Sequence, residues 1–200
     1  MKYSIIPQPQ KFEIISENTV VEITRLVEVE SEWEKAEKSL IGFLSQMCEI
    51  EVVGTGKEKI VIKNDSTVEK SEGYTLAVTE NLVEIHARDE QGAFYAVQSL
   101  IQLLICGNLK LPELQIQDAP RFSYRGFMLD CGRYHYTVDA VKEFLDLMAL
   151  HKLNYFHWHL SEDQGFRFHS EKYPLLTEIG SKRSHTNFNS IPHEGFYTKQ

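Results

Sequence analysis

Charged side chains that could hold a polar ligand lie at two places where an apolar run ends. Asp130 and Arg133 follow one short apolar run, and Glu162 and Asp163 follow the next. The carboxyl ends of parallel strands meet at the same edge of a sheet, and α/β folds carry their chemistry there. We therefore expect Arg133 and the two later acids to converge on one face. A guanidinium donates through a planar fork and carboxylates accept, so the pattern indicates a site for a polar ligand.

His157 and His159 offer a second chemistry. Residues two apart lie on one side of a strand, which is how metal-dependent hydrolases present two ligands to zinc. An amidohydrolase-like metal enzyme that uses these two histidines is therefore an alternative. No third ligand is spaced convincingly, so we expect neither a bound metal nor another cofactor.

A strand, a helix and a second strand must position these groups. Residues 127–129 have the composition of a buried parallel strand. Thr137 is a candidate N-cap and Asp139 complements the helix dipole, so a helix is predicted from about 138 to 152. The second strand is predicted over residues 153–160. The apolar stripe of the helix is predicted to comprise Val141, Phe144, Leu145 and Met148.

Two motifs in this stretch resemble a known family. They read Pro120-Arg121-Phe122, Arg125-Gly126, Asp130, Arg133, and then His157-Trp158-His159-Leu160-Ser161-Glu162-Asp163-Gln164. Without gaps, they resemble the first two barrel strands of the family 20 glycoside hydrolases, the β-N-acetylhexosaminidases. The intervening Trp158 and the following acids fit this family better than a metal site.

The resemblance implies roles for individual residues. Arg133 falls on the arginine that holds hydroxyls of the terminal sugar, where its planar fork suits two adjacent oxygens. Glu162 and Asp163 fall on an acidic pair in a network around the catalytic acid. Glu162 replaces the family's Asp and is one methylene longer, which keeps the charge and changes the geometry.

The resemblance thus makes Arg133, Glu162 and Asp163 the candidate substrate-binding residues. For Asp163, a structural role in bonding loop amides is an equal alternative. Asp130, His157 and His159 are candidate supporting residues. Asp130 either bonds within the barrel floor or lines the site.

The implied activity is the removal of terminal N-acetylglucosamine or N-acetylgalactosamine from glycans by an exo-acting, retaining enzyme. In this family the substrate's acetamido oxygen attacks the anomeric carbon, an Asp orients it and a Glu protonates the leaving oxygen. That Asp-Glu couple normally follows a glycine pair, and the sequence contains no Gly-Gly-Asp-Glu. Asp89-Glu90 instead opens a predicted helix, where we expect the acids to cap the helix and complement its dipole. We expect no catalytic residue in this chain and no activity from it alone.

The predicted fold class is α/β with two domains. Residues 1–118 are expected to form a mixed sheet with two helices on one face, and residues 119–200 the first βαβ part of a truncated (β/α)8 barrel. One helix is predicted from 30 to about 47, with Trp33, Leu40, Leu44 and Met47 on one face, and another from 89 to about 105. Strands are predicted at residues 12–15, 20–23, 60–62 and 113–117, and a hairpin at 74–78 with 82–87.

A barrel that stops after two strands leaves open edges and apolar faces. We expect those faces either to pack on the leading domain or to let the chain self-associate. A non-catalytic carbohydrate-binding or structural module is a further alternative.

The composition excludes some partners. Net charge is −8, from 21 basic and 29 acidic residues, with no basic cluster for nucleic acid or an anionic membrane surface. Three widely spaced cysteines, Cys48, Cys106 and Cys131, predict buried free thiols rather than a disulfide framework. The amino terminus lacks the apolar core of a secretory signal, and the expected partner is a glycan ending in N-acetylhexosamine.

Overall fold

The computed structural model describes residues 3–185 and 192–199. They divide into two compact units, Met1–Ser123 with Leu150–Lys152, and Tyr124–Ala149 with Leu153–Gln200. Within the described ranges no helix has the length and apolar character needed to cross a bilayer.

The first unit is built on a mixed seven-stranded sheet. Its strands are β1 (Lys11–Glu22), β2 (Leu26–Ser31), β3 (Glu51–Val53), β4 (Lys59–Asn64), β5 (Tyr74–Thr79), β6 (Leu82–Ala87) and β7 (Lys110–Asp118). They are arranged in the order β1-β7-β5-β6-β4-β2-β3. The neighbouring strands β1/β7, β7/β5 and β5/β6 pair antiparallel. The neighbouring strands β6/β4, β4/β2 and β2/β3 pair in parallel. The predicted mixed sheet is confirmed, and so is the hairpin of β5 and β6.

Two helices complete the core of the first unit. They are α1 (Glu34–Gly42), which continues as a π-helical turn (Phe43–Met47), and α2 (Glu90–Gly107). Leu40 of α1 and Leu100 of α2 are fully buried in one apolar cluster with the sheet. Asp89 caps α2, because its Oδ1 accepts from the Gly92 amide at 2.8 Å. The capping interpretation of Asp89 is therefore confirmed.

One charged pair is buried in the first unit beside this apolar core. Lys152 Nζ donates to Asp118 Oδ2 at 3.0 Å and to the Tyr74 hydroxyl at 2.8 Å. The Tyr74 hydroxyl also lies 2.6 Å from the Ser99 hydroxyl. Burial and the Asp118 carboxylate raise the pKa of Tyr74, so its hydroxyl keeps its proton. The ammonium is thus paired and hydrogen-bonded, as a buried charge requires.

Several predictions for the first unit are wrong in detail. Residues 30 and 31, assigned to the first helix, end strand β2, where Val27 and Val29 alternate with acids at the period of a strand. Strand β3 was not predicted, and the two predicted strands at 12–15 and 20–23 are one strand, β1. Met47, assigned to the apolar helix face, is 76% exposed.

The second unit contains short elements. They are β8 (Gly126–Asp130), α3 (Val138–Leu150), β9 (Tyr155–His159), β10 (Ser161–Glu162), β11 (Gly165–Phe166), α4 (Leu175–Glu178), β12 (Lys182–Arg183) and β13 (His193–Glu194). β8 and β9 pair in parallel, and α3 connects them in the chain, which confirms the predicted order of strand, helix and strand. The pairs β10/β11 and β12/β13 are antiparallel. Thr137 caps α3, since its Oγ1 accepts from the Ala140 amide at 3.2 Å.

Burial in the second unit differs from the prediction. Val141 and Met148 on α3 are buried, but Leu145 of the same predicted stripe is 40% exposed. Phe127 and Met128, predicted in a buried strand, are each 46% exposed. The prediction of three buried thiols is also wrong: all three cysteines are free, but only Cys131 is fully buried and Cys106 is exposed.

Candidate functional site

The site lies where β8 and β9 end. Asp130 is in register with His159, and the amides of Cys131 and Gly132 both donate to the His159 carbonyl, at 2.9 and 3.1 Å. The backbone pairing therefore continues one turn beyond β8. We call Cys131, Gly132 and Arg133 the Arg133 turn. This continuation fixes Arg133 at the carboxyl edge of the two parallel strands, as the sequence predicts.

Arg133 lies between two carboxylates. Its Nη1 donates to Asp130 Oδ2, and its amide donates to Asp130 Oδ1 at 3.0 Å. On the other side its Nε lies 3.7 Å from Glu162 Oε2. The Arg133 side chain stays 46% exposed, while those of Asp130 and Glu162 are 20% and 11% exposed. The guanidinium is thus held in place and still accessible to a ligand.

Gly132 makes this arrangement possible. A Cβ at Gly132 would fall 2.6 Å from Cγ of Glu162. The Glu162 side chain therefore passes over the glycine to reach Arg133. Its Oε1 accepts from the Gln164 amide at 2.7 Å, which anchors the carboxylate to its own loop.

The two carboxylates that flank Arg133 have opposite pKa shifts. Burial acts on Asp130 to raise its pKa, but the hydrogen bonds from Arg133 and the charges of Arg133 and His159 outweigh it, so the pKa is lowered. Burial and the neighbouring Asp163 raise the pKa of Glu162, although Arg133 acts in the opposite direction. Burial and Asp163 outweigh Arg133, because the 3.7 Å contact with Arg133 is too long for a hydrogen bond.

The other predicted residues lie around this core of the site. Asp163 is exposed, shares a hydrogen bond with Glu162 and accepts from Gln164 Nε2 at 3.2 Å. It also accepts from its own backbone amide, so the alternative that Asp163 bonds loop amides stays open. His157 and His159 lie on one side of β9 with ring centroids 5.8 Å apart. Across the described ranges, no group of three or more His, Cys, Asp or Glu side chains is placed to hold a metal ion.

The structure reveals two further residues that the sequence interpretation assigned no role. Arg167 is fully buried and donates to the carbonyls of Cys131 and Gly132, the two residues that precede Arg133. His193 contacts Arg167 through Nε2 at 3.0 Å. The one local signal for Arg167 was a charged residue between Phe166 and Phe168, and the sequence carries no comparable signal for His193.

The fold and the polar groups at the carboxyl edge of β8 and β9 are consistent with a glycoside hydrolase, which is the class that two family models identify. The profile described as "Glycosyl hydrolase family 20, domain 2" matches residues 2–119, and "Glycosyl hydrolase family 20, catalytic domain" matches residues 122–200. The chain belongs to glycosyl hydrolase family 20, which confirms the resemblance found in the motifs.

Similar proteins carry matching names. A β-hexosaminidase of Porphyromonas gingivalis is 42% identical over 140 residues, which cover 66% of this chain and 18% of the relative. A structure of a family 20 exo-β-N-acetylglucosaminidase from Vibrio harveyi in complex with N-acetylglucosamine is 30% identical, with a TM-score of 0.83. That alignment covers 99% of this chain and 33% of the other. The chain therefore spans between a seventh and a quarter of the length of the first curated relatives it matches.

Proposed function

We propose that the protein is an exo-acting, retaining β-N-acetylhexosaminidase that removes N-acetylglucosamine or N-acetylgalactosamine from glycan ends by substrate-assisted catalysis. Family membership and the names of the relatives support this activity. In this proposal residues 1–118 are the leading domain, and residues 119–200 are the first part of a (β/α)8 barrel that carries one wall of the sugar site.

The observation that carries the proposal is the position of Arg133 between Asp130 and Glu162 at the carboxyl edge of two parallel strands. A planar fork on a side chain that is 46% exposed suits adjacent sugar hydroxyls, and flanking carboxylates can accept from the same hydroxyls. In the proposal Arg133, Glu162 and Asp163 bind the terminal sugar. Asp130, which already holds the Arg133 amide, is a supporting residue together with His157 and His159.

The proposal separates binding from turnover. The sugar-binding groups are in this chain, whereas the Asp-Glu couple that follows a glycine pair in the family is not. Residues 1–200 should therefore bind N-acetylhexosamine without hydrolysing glycosides, because each missing role contributes roughly a hundredfold or more to the rate. Release of chromophore from an aryl N-acetylglucosaminide well above a buffer blank would contradict this part.

Binding by Arg133 is tested with a matched arginine pair. Arg133→Ala should weaken N-acetylglucosamine binding by about tenfold or more, since hydrogen bonds to a charged group contribute about 1.5–3 kcal/mol. Arg88→Ala is the control, because Arg88 also donates one hydrogen bond, to the Ser66 carbonyl, but lies in the first unit. Sugar titration followed by NMR would overturn the assignment if both variants bind like the parent chain.

Self-association is proposed on the exposed apolar groups of β8 and β9. Phe127 and Met128 are 46% exposed, and Tyr155 is 55% exposed. Burying such surface between chains is favourable by roughly 25 cal/mol per Å². Light scattering that shows a single monomeric mass at every concentration would exclude it.

A further inference from the structure

The side chain of Arg167 in the second unit is fully buried and makes five polar contacts. Its Nε donates to the Cys131 carbonyl at 2.9 Å. Nη1 donates to the carbonyls of Ser181 and Gly195 at 2.7 and 3.0 Å. Nη2 donates to the Gly132 carbonyl at 3.1 Å and contacts His193 Nε2 at 3.0 Å. A guanidinium has five N–H donors, so each of them has an acceptor here.

None of these five acceptors is a carboxylate. Four are backbone carbonyls and the fifth is an imidazole nitrogen. Burial lowers the pKa of Arg167, but an arginine keeps its charge in proteins. Within the part of the chain that the structure describes, the direct partners of this cation are therefore dipoles, and a second positive charge beside it would be strongly unfavourable.

His193 can fill its position only in the neutral form. Its Nε2 accepts from the His135 amide at 2.8 Å and from Arg167 Nη2 at 3.0 Å. An imidazole nitrogen that accepts carries no proton, so the proton of neutral His193 lies on Nδ1. A protonated ring would direct an N–H at both donors. Burial and the Arg167 charge lower the pKa of His193 accordingly.

The other groups that face His193 add little negative charge. Its ring stacks on Tyr134 at a centroid distance of 4.9 Å. Arg183 is its register partner on the adjacent strand β12. The pKa of the nearby His135 is lowered by burial, by Arg167 and by His193. Glu194 is the one acid of this set, and it is in register with Lys182.

Arg167 connects this histidine to the Arg133 turn. It holds the carbonyls of Cys131 and Gly132, and its guanidinium packs on Gly165, where a Cβ would fall 2.5 Å from Nη2. Repulsion between a protonated His193 and Nη2 would therefore act on the same nitrogen that holds the Gly132 carbonyl. The turn and the histidine are separated by about 60 residues in sequence and joined by one side chain.

We propose that Arg167 is the positioning residue for the Arg133 turn, and that it holds the turn only while His193 is neutral, so that acidification releases the turn and weakens sugar binding. The last step rests on the proposed sugar-binding role of Arg133. The direction of the pH effect follows from the pKa of His193, which is lower when the ring is buried against Arg167 than when it is released. The contact between Arg167 and His193 stabilises the turn fully above the ordinary histidine pKa near 6.5, and this stabilisation is lost as the pH falls through the lowered pKa of His193.

Hydrogen exchange of residues 131–133 in the 200-residue chain tests the positioning. Protection corrected for intrinsic rates should fall by about tenfold or more between pH 7.5 and pH 5. His193→Gln, whose amide oxygen can replace Nε2 as an acceptor without titrating, should keep protection at both pH values. His193→Phe, which can keep the stacking on Tyr134 but accepts nothing, should already show low protection at pH 7.5. His86→Gln in the first unit is the control and should behave like the parent chain.

The proposal is overturned if His193→Phe protects the Arg133 turn as well as the parent chain, or if His193→Gln loses protection in acid as the parent does. N-acetylglucosamine titration of the same proteins separates the two proposals. Affinity that falls with protection in the parent but not in His193→Gln supports both. If hydrogen-exchange protection changes as predicted but the chain binds no sugar at any pH, the positioning role of Arg167 is supported and the proposed function is overturned.

Discussion

The first unit buries a continuous apolar cluster between its sheet and two helices, whereas the described part of the second unit buries only Cys131, Val141 and Tyr197 in its apolar cluster. In the second unit, Arg167 instead joins three separate backbone segments and one ring through its five donors. The leading domain thus relies on removing apolar surface from water, and the site-bearing unit relies on directional hydrogen bonds.

Among the described residues, one cation is buried in each unit, and the two are stabilised differently. Lys152 carries a compact charge and is paired with the Asp118 carboxylate. Arg167 has a planar fork of five donors, which bond four carbonyls and one imidazole nitrogen among the described residues. The geometry of each cation accounts for its partners: the compact ammonium is matched by a counter-charge, and the planar fork spreads its donors over several dipoles.

The largest effect should come from breaking the buried pair of the first unit. Asp118→Ala should cost about 3–5 kcal/mol of unfolding free energy, because it leaves the Lys152 ammonium buried without its counter-charge. Urea titration, monitored by Trp33 fluorescence in a Trp158→Phe background, measures the unfolding free energy of the first unit. The double variant Asp118→Leu with Lys152→Met is the control and should recover much of the loss. A single variant as stable as the parent would remove the contrast between the two cations.

A large effect is also expected in the apolar core. Leu100→Ala should cost about 2–5 kcal/mol, since Leu100 on α2 is fully buried and its removal leaves a cavity. Ile105→Ala on the same helix is the matched control, because Ile105 is 58% exposed and should lose under about 0.5 kcal/mol. The same urea titration applies, and equal losses in the two variants would mean that the core does not hold the first unit.

A medium effect is expected at the contact between Gly165 and the guanidinium. Gly165→Ala should cost about 1–3 kcal/mol, because the new methyl group would overlap Nη2 of Arg167. Trp158 fluorescence in a Trp33→Phe background reports on the second unit. Gly54→Ala in the first unit is the control and is monitored by Trp33 fluorescence in a Trp158→Phe background, since nothing lies within 4 Å of a Cβ there. If both alanines are tolerated equally, the packing around Arg167 is not what organises this unit.

The smallest effect concerns Glu162. Its raised pKa means that ionisation is less favourable in the folded state than in the unfolded state, so the penalty appears as pH rises above the ordinary value of 4.5. At pH 7, Glu162→Gln should therefore be more stable than the parent by less than about 1 kcal/mol and melt at a slightly higher temperature. At pH 4 the two proteins should melt at the same temperature. Thermal melting at the two pH values checks this. A variant that melts lower at pH 7 would show that attraction to Arg133 outweighs burial and Asp163.

Patterns local in the sequence predicted much of both units. The period of α2, its Asp89 cap and the β5/β6 hairpin were visible because apolar spacing and capping residues are local signals. The start of α1 was not, since residues 26–31 alternate as a strand next to a helical run. At the site, the positions of Asp130 and Arg133 at the end of β8 followed from the chain order alone.

The sequence by itself determined the family motifs, the elements that carry them and the residues that face the sheet edge. The tertiary structure decided which side chains are buried and which are joined. Arg167 obtains its acceptors from residues 131, 132, 181, 193 and 195, four of which contribute backbone carbonyls. Every residue has a carbonyl, so such partners leave no mark in the sequence, and only the folded chain shows that they converge on one guanidinium.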